Sequence, residues 1–392
     1  MLAGSPQPSL QSDNDVIYLD HNATTPIAPE VLAAMIPYLK DEWGNPSSSY
    51  KFGAKLRTVI ETARAQVAEL VGAQSREVIF TSCATESNNA AIHAALKANP
   101  GKRHIVTSAV EHSSVLNYCG ALEKDGYRVT YLSVDRDGLL DLQEFEAAIS
   151  LDTAIVSLMW ANNETGVIFP VVDIAKTCKA RGVLFHCDAV QAVAKMSVDV
   201  STFPVDFLSM TGHKLGAPKG VGALYVHRKV PLTPFLHGGH QEGGRRGGTE
   251  NVALIAGLGK AAEIAKEKTP GYDRTLRPLR DALEEGILGE VPDAERNGHR
   301  GQRIANTTNI AFRGVDSDAL LMLLDQEGIC ASSGSACLAD SPDASHVITA
   351  MKPELRGERN SLRLSLGLEH SASSVGEALR IIKATVAGLR SL

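Results

Sequence analysis

Between residues 77 and 227, short β-branched runs alternate with stretches of helical period, and this alternation constrains the fold more than any other feature. The runs Glu77–Thr81, His104–Val110, Arg128–Val134, Ala154–Trp160, Val183–Cys187, Asp206–Met210 and Val221–His227 predict strands. Apolar residues recur every three or four positions at Val59, Ala63, Val67 and Leu70. Glu86–Lys97, Ser113–Lys124, Leu142–Ile149 and Val171–Ala180 likewise predict helices. A strand that must be followed by a crossover helix pairs in parallel. The pattern therefore predicts an α/β fold, a largely parallel sheet with helices on both faces.

The glycine-rich loop His237–Gly248 interrupts the alternation, and a helix is expected at Val252–Lys266. Beyond it come strands at Thr308–Phe312 and Ser361–Ser365 and helices at Asp318–Gln326 and Ser374–Leu389, the mixture of a smaller α+β domain. The expected organisation is a flexible polar lead (1–15), a large domain (16–264) and a small C-terminal domain (265–392). With 392 residues and 44% apolar content the chain can bury two cores.

The net charge of −6 disfavours nucleic acid as a partner, and the short basic cluster Gly243–Gly248 does not reverse that. No signal-type apolar stretch opens the chain, and no window approaches the ~18 apolar residues of a membrane span. A cytoplasmic protein is expected. The six cysteines form no C-x-x-C pair and no zinc-spaced set with histidine, so neither a disulfide framework nor a bound metal is expected.

Ligands of open α/β sheets bind beyond the carboxyl ends of the strands. Five predicted strand ends lead to Ala84-Thr85, His112, Asn163, Asp188 with Gln191, and Thr211-Gly212-His213-Lys214. Singly, each has an ordinary reading: a solvated lysine, an N-capping aspartate, a turn asparagine. Together they supply what pyridoxal phosphate chemistry requires. Lys214 offers an amine for an imine, Asp188 a carboxylate to keep a pyridine nitrogen protonated, and His112 a ring to stack and exchange protons. Ala84-Thr85, where a strand turns into a helix, suits a phosphate, with Thr211 and His213 as further donors. Asn163 and Gln191 reach the ring substituents. No G-x-G-x-x-G follows the first strand, and no P-loop, G-x-S-x-G or H-E-x-x-H is present.

A second feature is the segment Cys330-Ala331-Ser332-Ser333-Gly334-Ser335-Ala336-Cys337. Most cysteines are buried small hydrophobes, which suits Cys178 and Cys187. A Ser/Gly/Ala setting gives Cys337 little apolar cover and predicts an exposed loop whose thiol can reach a substrate.

Motifs spread along nearly the whole chain resemble the NifS-type cysteine desulfurases, pyridoxal-phosphate enzymes of the aspartate-aminotransferase fold. They run from Asp20-His21-Asn22-Ala23-Thr24-Thr25 through Ser82-Cys83-Ala84-Thr85-Glu86-Ser87, Trp160-Ala161-Asn162-Asn163-Glu164-Thr165-Gly166 and His186-Cys187-Asp188-Ala189-Val190-Gln191 to Gly212-His213-Lys214, Gly238-Gly239-His240-Gln241-Glu242 and Ser361-Leu362-Arg363-Leu364-Ser365. The resemblance implies that Cys337 takes sulfur from L-cysteine as a persulfide, releasing alanine for passage of sulfur to an acceptor such as an iron–sulfur scaffold. It implies that Arg363 clamps the substrate carboxylate, that Asn163 touches substrate as well as cofactor, and that Thr249 reaches the phosphate from the other subunit of a homodimer. Three positions depart from the family: Ala84 stands for a usual glycine, Leu338-Ala339-Asp340 follows the cysteine, and the chain stops at Leu392 without an extension that many relatives use for docking. Other pyridoxal-phosphate reactions on this fold (transamination, β-elimination, selenocysteine lysis) and a catalytically idle sulfur carrier are the competing readings.

Overall fold

A computed structural model describes residues 16–334 and 345–391. The chain enters on a short strand β1 (Ile17–Tyr18), then forms α1 (Pro29–Lys40), α2 (Lys51–Ala54) and α3 (Leu56–Leu70). The alternating region follows as β2 (Val78–Thr81), α4 (Ala84–Ala98), β3 (His104–Ser108), α5 (Ser113–Lys124), β4 (Arg128–Leu132), α6 (Leu142–Ala148) and β5 (Thr153–Met159). It continues as α7 (Val171–Ala180), β6 (Leu184–Asp188), β7 (Phe207–Thr211) and β8 (Gly222–Val226). The remainder is α8 (Val252–Glu290), β9 (Ala294–Arg296), β10 (Thr307–Phe312), α9 (Ser317–Gln326), β11 (Ile329–Cys330), α10 (His346–Met351), β12 (Ser361–Ser365) and α11 (Ala372–Arg390).

Each strand expected from the alternation forms, within a residue or two of its predicted ends. Among the described residues they join one seven-stranded sheet in the order β2-β8-β7-β6-β5-β3-β4. Pairing is parallel from β7 through β6, β5 and β3 to β4, whereas β8 runs antiparallel to both β7 and β2. The reversal follows from the short β7–β8 connection, which leaves no length for a crossover helix. Because β2 is antiparallel to β8, it points the same way as β7. The carboxyl ends of β2, β3, β5, β6 and β7 thus share one sheet edge.

Period-two alternation along the strands feeds two cores. Phe80, Val106, Leu208 and Ala223 face one side, under α1, α3, α7 and the first turns of α8. Their neighbours Ile79, Ile105, Phe207 and Leu224 face the other, under α4 and α5. At about 25 cal/mol per Å² of apolar surface, such two-sided burial is what makes near-continuous apolar strands stable in the middle of a sheet.

A third core lies between α8, α9, α11 and the antiparallel sheet β12-β10-β9. The helix expected to stop at Lys266 instead runs for 39 residues through Pro270 and Pro278. The Pro270-Gly271 pair reads as punctuation, but Tyr272, Leu276, Leu283 and Ile287 bury a stripe at helical spacing in this core. That packing outweighs the local propensity. The changeover between cores occurs along this helix, after Ile264 and before Tyr272, with no linker. The amino-terminal Leu19 also packs in the third core. No helix among the described residues is long and apolar enough to cross a membrane. Residues 1–15 and Cys337 lie outside the described residues.

Candidate active site

A cavity of about 180 Å³ opens at the shared carboxyl edge. Of the residues singled out in the sequence, Ala84, Thr85, His112, Asn163, Asp188, Gln191, Thr211, His213, Lys214 and Arg363 all line it. Lys214 and Asp188, which sequence reading needs at one pyridine ring, therefore share a single cavity. Thr249 lies elsewhere in this chain, beside Ser82, Arg246 and Gly248 at a neighbouring depression.

Each side chain is delivered by its strand. Asp188 is the last residue of β6, and its carboxylate is held from two directions. Asn88 Nδ2 donates to Oδ2 at 2.7 Å, and the Val190 N–H donates to Oδ1 at 3.0 Å. A carboxylate fixed by such charge-assisted bonds keeps its direction. Lys214 ends the short 3-10 turn after β7, and its Nζ donates to the main-chain oxygens of Asn22 and Ala23, the latter at 2.6 Å.

His112 caps α5: its Nδ1 accepts the Ser114 N–H at 3.1 Å, which leaves the proton of the neutral ring on Nε2. Burial lowers the pKa of His112, opposed by the Asp188 charge and reinforced by Lys214. Burial likewise pulls His213 down to about 4, so both imidazoles are neutral near pH 7.

Helix α4 begins at the cavity. Its N-cap Cys83 makes no side-chain cap hydrogen bond, so the free N–H groups and the helix dipole favour an anion there. Ala84 is the first helical residue and has no positive φ, so no glycine is needed at that position. Thr211 Oγ1 donates to the Val221 carbonyl at 3.3 Å.

Arg363 projects from β12 and is buried. Nη2 pairs with Asp20 at 2.6 Å, Nη1 donates to the Asn163 carbonyl at 3.1 Å, and Nε has no hydrogen-bond partner. A buried guanidinium with an unused N–H, aimed by two fixed contacts, is suited to receive a carboxylate.

Several participants escaped the sequence reading. Asn88 and Ser114 form the second layer behind Asp188 and His112, linked by a 2.9 Å hydrogen bond. Asn88 lies one helical turn after Ala84, a spacing that points to the same face. Lys195, fully buried one turn after Gln191, donates to Asn22 Oδ1 at 2.6 Å and to Gln191 Oε1. Burial pushes its pKa well below the usual lysine value, aided by Lys214 and Arg363. The preceding Ala194 adopts φ +69°, a strained left-handed conformation that turns Lys195 inward.

The cysteines divide by burial. Cys119 and Cys178 are buried thiols pushed up to about 12, and Cys187 is raised well above the usual range. Cys83 is half-buried and lines the cavity.

The family model for class-V aminotransferases matches residues 17–377. The chain is 51% identical over 377 residues to a protein named cysteine desulfurase 2 of Trichormus variabilis, covering 96% of this chain and 94% of that one. It is 44% identical over 377 residues to cysteine desulfurase NifS of Azotobacter vinelandii, with the same coverage of 96% and 94%. A solved structure titled NifS-like protein superposes with a TM-score of 0.89 at 34% identity, covering 95% of this chain and 100% of that one.

Proposed function

The chain belongs to the class-V aminotransferase family, and within it we propose a pyridoxal-phosphate cysteine desulfurase that converts L-cysteine to L-alanine and carries the sulfur on Cys337. The observation that carries this reading is that Lys214, Asp188, His112 and the uncapped start of α4 surround one cavity.

The residues fit the cofactor. The open N-terminus of α4 with Ala84 and Thr85 suits its phosphate, supported by Thr211 and His213. Asp188, anchored by Asn88 and Val190, suits the pyridine nitrogen. The His112 ring suits the face of the pyridine, Gln191 and Asn163 its substituents, and Lys214 the aldehyde. When bound, pyridoxal phosphate supplies an electrophilic carbon and a ring that withdraws charge from the substrate.

The chain's own groups then divide the work. Lys214 Nζ, once released from the Asn22 and Ala23 carbonyls, accepts and returns protons at the substrate carbon. His112 Nε2 holds a second transferable proton over the cavity. Arg363 and Asn163 orient the carboxylate of L-cysteine. The Cys337 thiolate attacks the substrate sulfur: an S–S bond forms, the Cβ–S bond breaks, and the substrate carbon takes a proton to become alanine. The acceptor is a thiol protein such as an iron–sulfur scaffold. Thr249 reaches the phosphate of a second copy in a homodimer, and the enzyme works in the cytoplasm. We divide the chain into a large domain (16–264) and a small domain (265–392), a reading supported by the passage of α8 from the first core to the third, although Leu19 and α10 each pack in the other unit's core.

Cys83 gives the reading its sharpest test, because it is a thiol already at the cavity. After incubation with L-cysteine, mass spectrometry of peptides is expected to place one added sulfur on the Cys337 peptide. Added sulfur confined to the Cys83 peptide, or alanine formed without any adduct in a single turnover, would overturn the assignment.

A further inference from the structure

Away from the cavity, His21, Glu369 and His370 bring one ring nitrogen each and one carboxylate oxygen within 4.8 Å of one another. Nearly the whole chain separates the first from the other two. They meet because Asp20 bridges Ser365 in parallel register, setting the turn after β1 beside the end of β12. We propose that these three side chains form a binding site for a divalent first-row transition metal of the zinc class.

Three observations support the site independently of the cavity. The first is the orientation of the His21 ring: Nδ1 lies 3.3 Å from the Ser365 carbonyl, and Nε2 faces Glu369. An imidazole that donates Nδ1–H to a main-chain oxygen presents Nε2 as a lone pair, the arrangement that orients metal-binding histidines. At His370 the nitrogen within ion-pair distance of Glu369 is Nδ1, 3.8 Å from Oε1, and the Gly367 N–H donates to that atom at 3.0 Å, so a metal ion there takes the place of a main-chain contact.

The second observation is an unsatisfied atom. His21 is 5% exposed, and its Nε2 has no hydrogen-bond partner although Glu369 Oε1 stands 2.6 Å away. The two groups stand at ion-pair distance without hydrogen-bond geometry, so the buried nitrogen is only partly compensated for its lost water. A shared cation satisfies both groups.

The third observation is spatial. A Cβ at Gly367 would lie 2.1 Å from His21 Nε2 and 2.3 Å from Glu369 Oε2. Gly367 has no left-handed φ, so the cluster rather than the backbone conformation requires the missing side chain.

Two imidazoles and one carboxylate form a three-ligand set that leaves a coordination position for water. Magnesium and calcium prefer all-oxygen sites and are disfavoured. The site stands directly behind the substrate clamp. Asp20 accepts from Arg363 at 2.6 Å, and the Asn22 carbonyl accepts from Lys214, so His21 lies between two residues that hold the active-site cations.

The test is a zinc titration of the cofactor-loaded enzyme against a chromogenic chelator, in a Cys337→Ala background that removes the reactive thiol. One zinc per chain is expected. Glu369→Gln, at an exposed position that leaves the fold intact, and His370→Ala are each expected to weaken binding by at least ~30-fold, since even outer-shell partners of such sites are worth 10–100-fold. Cobalt(II) in place of zinc should show ligand-field bands without thiolate charge transfer. Zinc bound equally tightly by Glu369→Gln, or no zinc bound at micromolar concentration, overturns the proposal. The second result would leave His21 and Glu369 as an ordinary ion pair.

Discussion

Replacing Glu111 with Gln removes an ionisable group from beneath the active site while keeping its shape. Glu111 is fully buried; Oε1 accepts from the Met159 N–H at 3.0 Å and from Ser108 Oγ at 2.7 Å, while Oε2 has no partner. Burial pushes its carboxyl up to about 8 from the usual 4.5; the two hydrogen bonds oppose the rise and the Asp188 charge adds to it. In the unfolded chain the carboxyl ionises near 4.5, whereas in the folded protein it keeps its proton until about pH 8. The unfolded state therefore sheds a proton first, and folding stability is lost as pH rises through that window. This is the reverse of a salt-bridged carboxylate. At 1.36 kcal/mol per pH unit the loss approaches about 5 kcal/mol above the folded pKa, and local relaxation and water entry bring it to about 2–3 kcal/mol. Gln carries no such penalty at any pH. Urea unfolding of both proteins across this range should give equal stabilities at the acid end and a more stable variant at the alkaline end. Equal stabilities above pH 8, or a gap that closes as pH rises, would refute the assignment of a neutral buried Glu111.

Four further outcomes follow from the site. Lys214→Ala should leave the fold intact but abolish the visible absorbance of a lysine-bound cofactor; a persisting band would displace Lys214 from its role. Cys337→Ser should retain that absorbance yet form neither persulfide nor alanine in single-turnover assays. Arg363→Lys keeps the charge and loses the fork, so KM for L-cysteine should rise ~30–100-fold, the equivalent of about 2–3 kcal/mol, with a smaller change in kcat. An unchanged KM removes Arg363 from the clamp. Ala194→Gly relieves a left-handed φ of +69° and should stabilise the protein by about 1 kcal/mol in the same urea assay; a destabilised variant would mean that the turn carries no strain.

Sequence patterning was enough to locate the seven strands and the shared edge, because two-sided burial writes itself as apolar runs and crossover helices as period-3.6 stretches. The reversal of β8 is carried by the short β7–β8 connection and not by the strand's own residues, so patterning of apolar runs alone does not reveal it. Patterning also ended α8 too early, because Pro270-Gly271 is a strong local stop and only tertiary burial of Tyr272 and Leu276 carries the helix past it. At the site, Lys214, Asp188 and His112 were legible since each follows a predicted strand. Asn88 and Lys195 were not, because they act from inside helical or turn segments where polar residues have no distinctive pattern. Asn22 sits within a motif that was recognised, yet its bonds to Lys195, Asn163 and Thr307 depend on chain segments brought together only by folding.

The 39-residue α8 gives the molecule a shared axle. At 1.5 Å per residue it extends ~58 Å, with its first turns seated under the seven-stranded sheet and its later turns in the small sheet's core. Cutting the chain inside that rod would strip a packing stripe from whichever fragment loses its half. The two parts are therefore poor candidates for separate expression, and a protease nick near Lys268 should release neither as a stable piece.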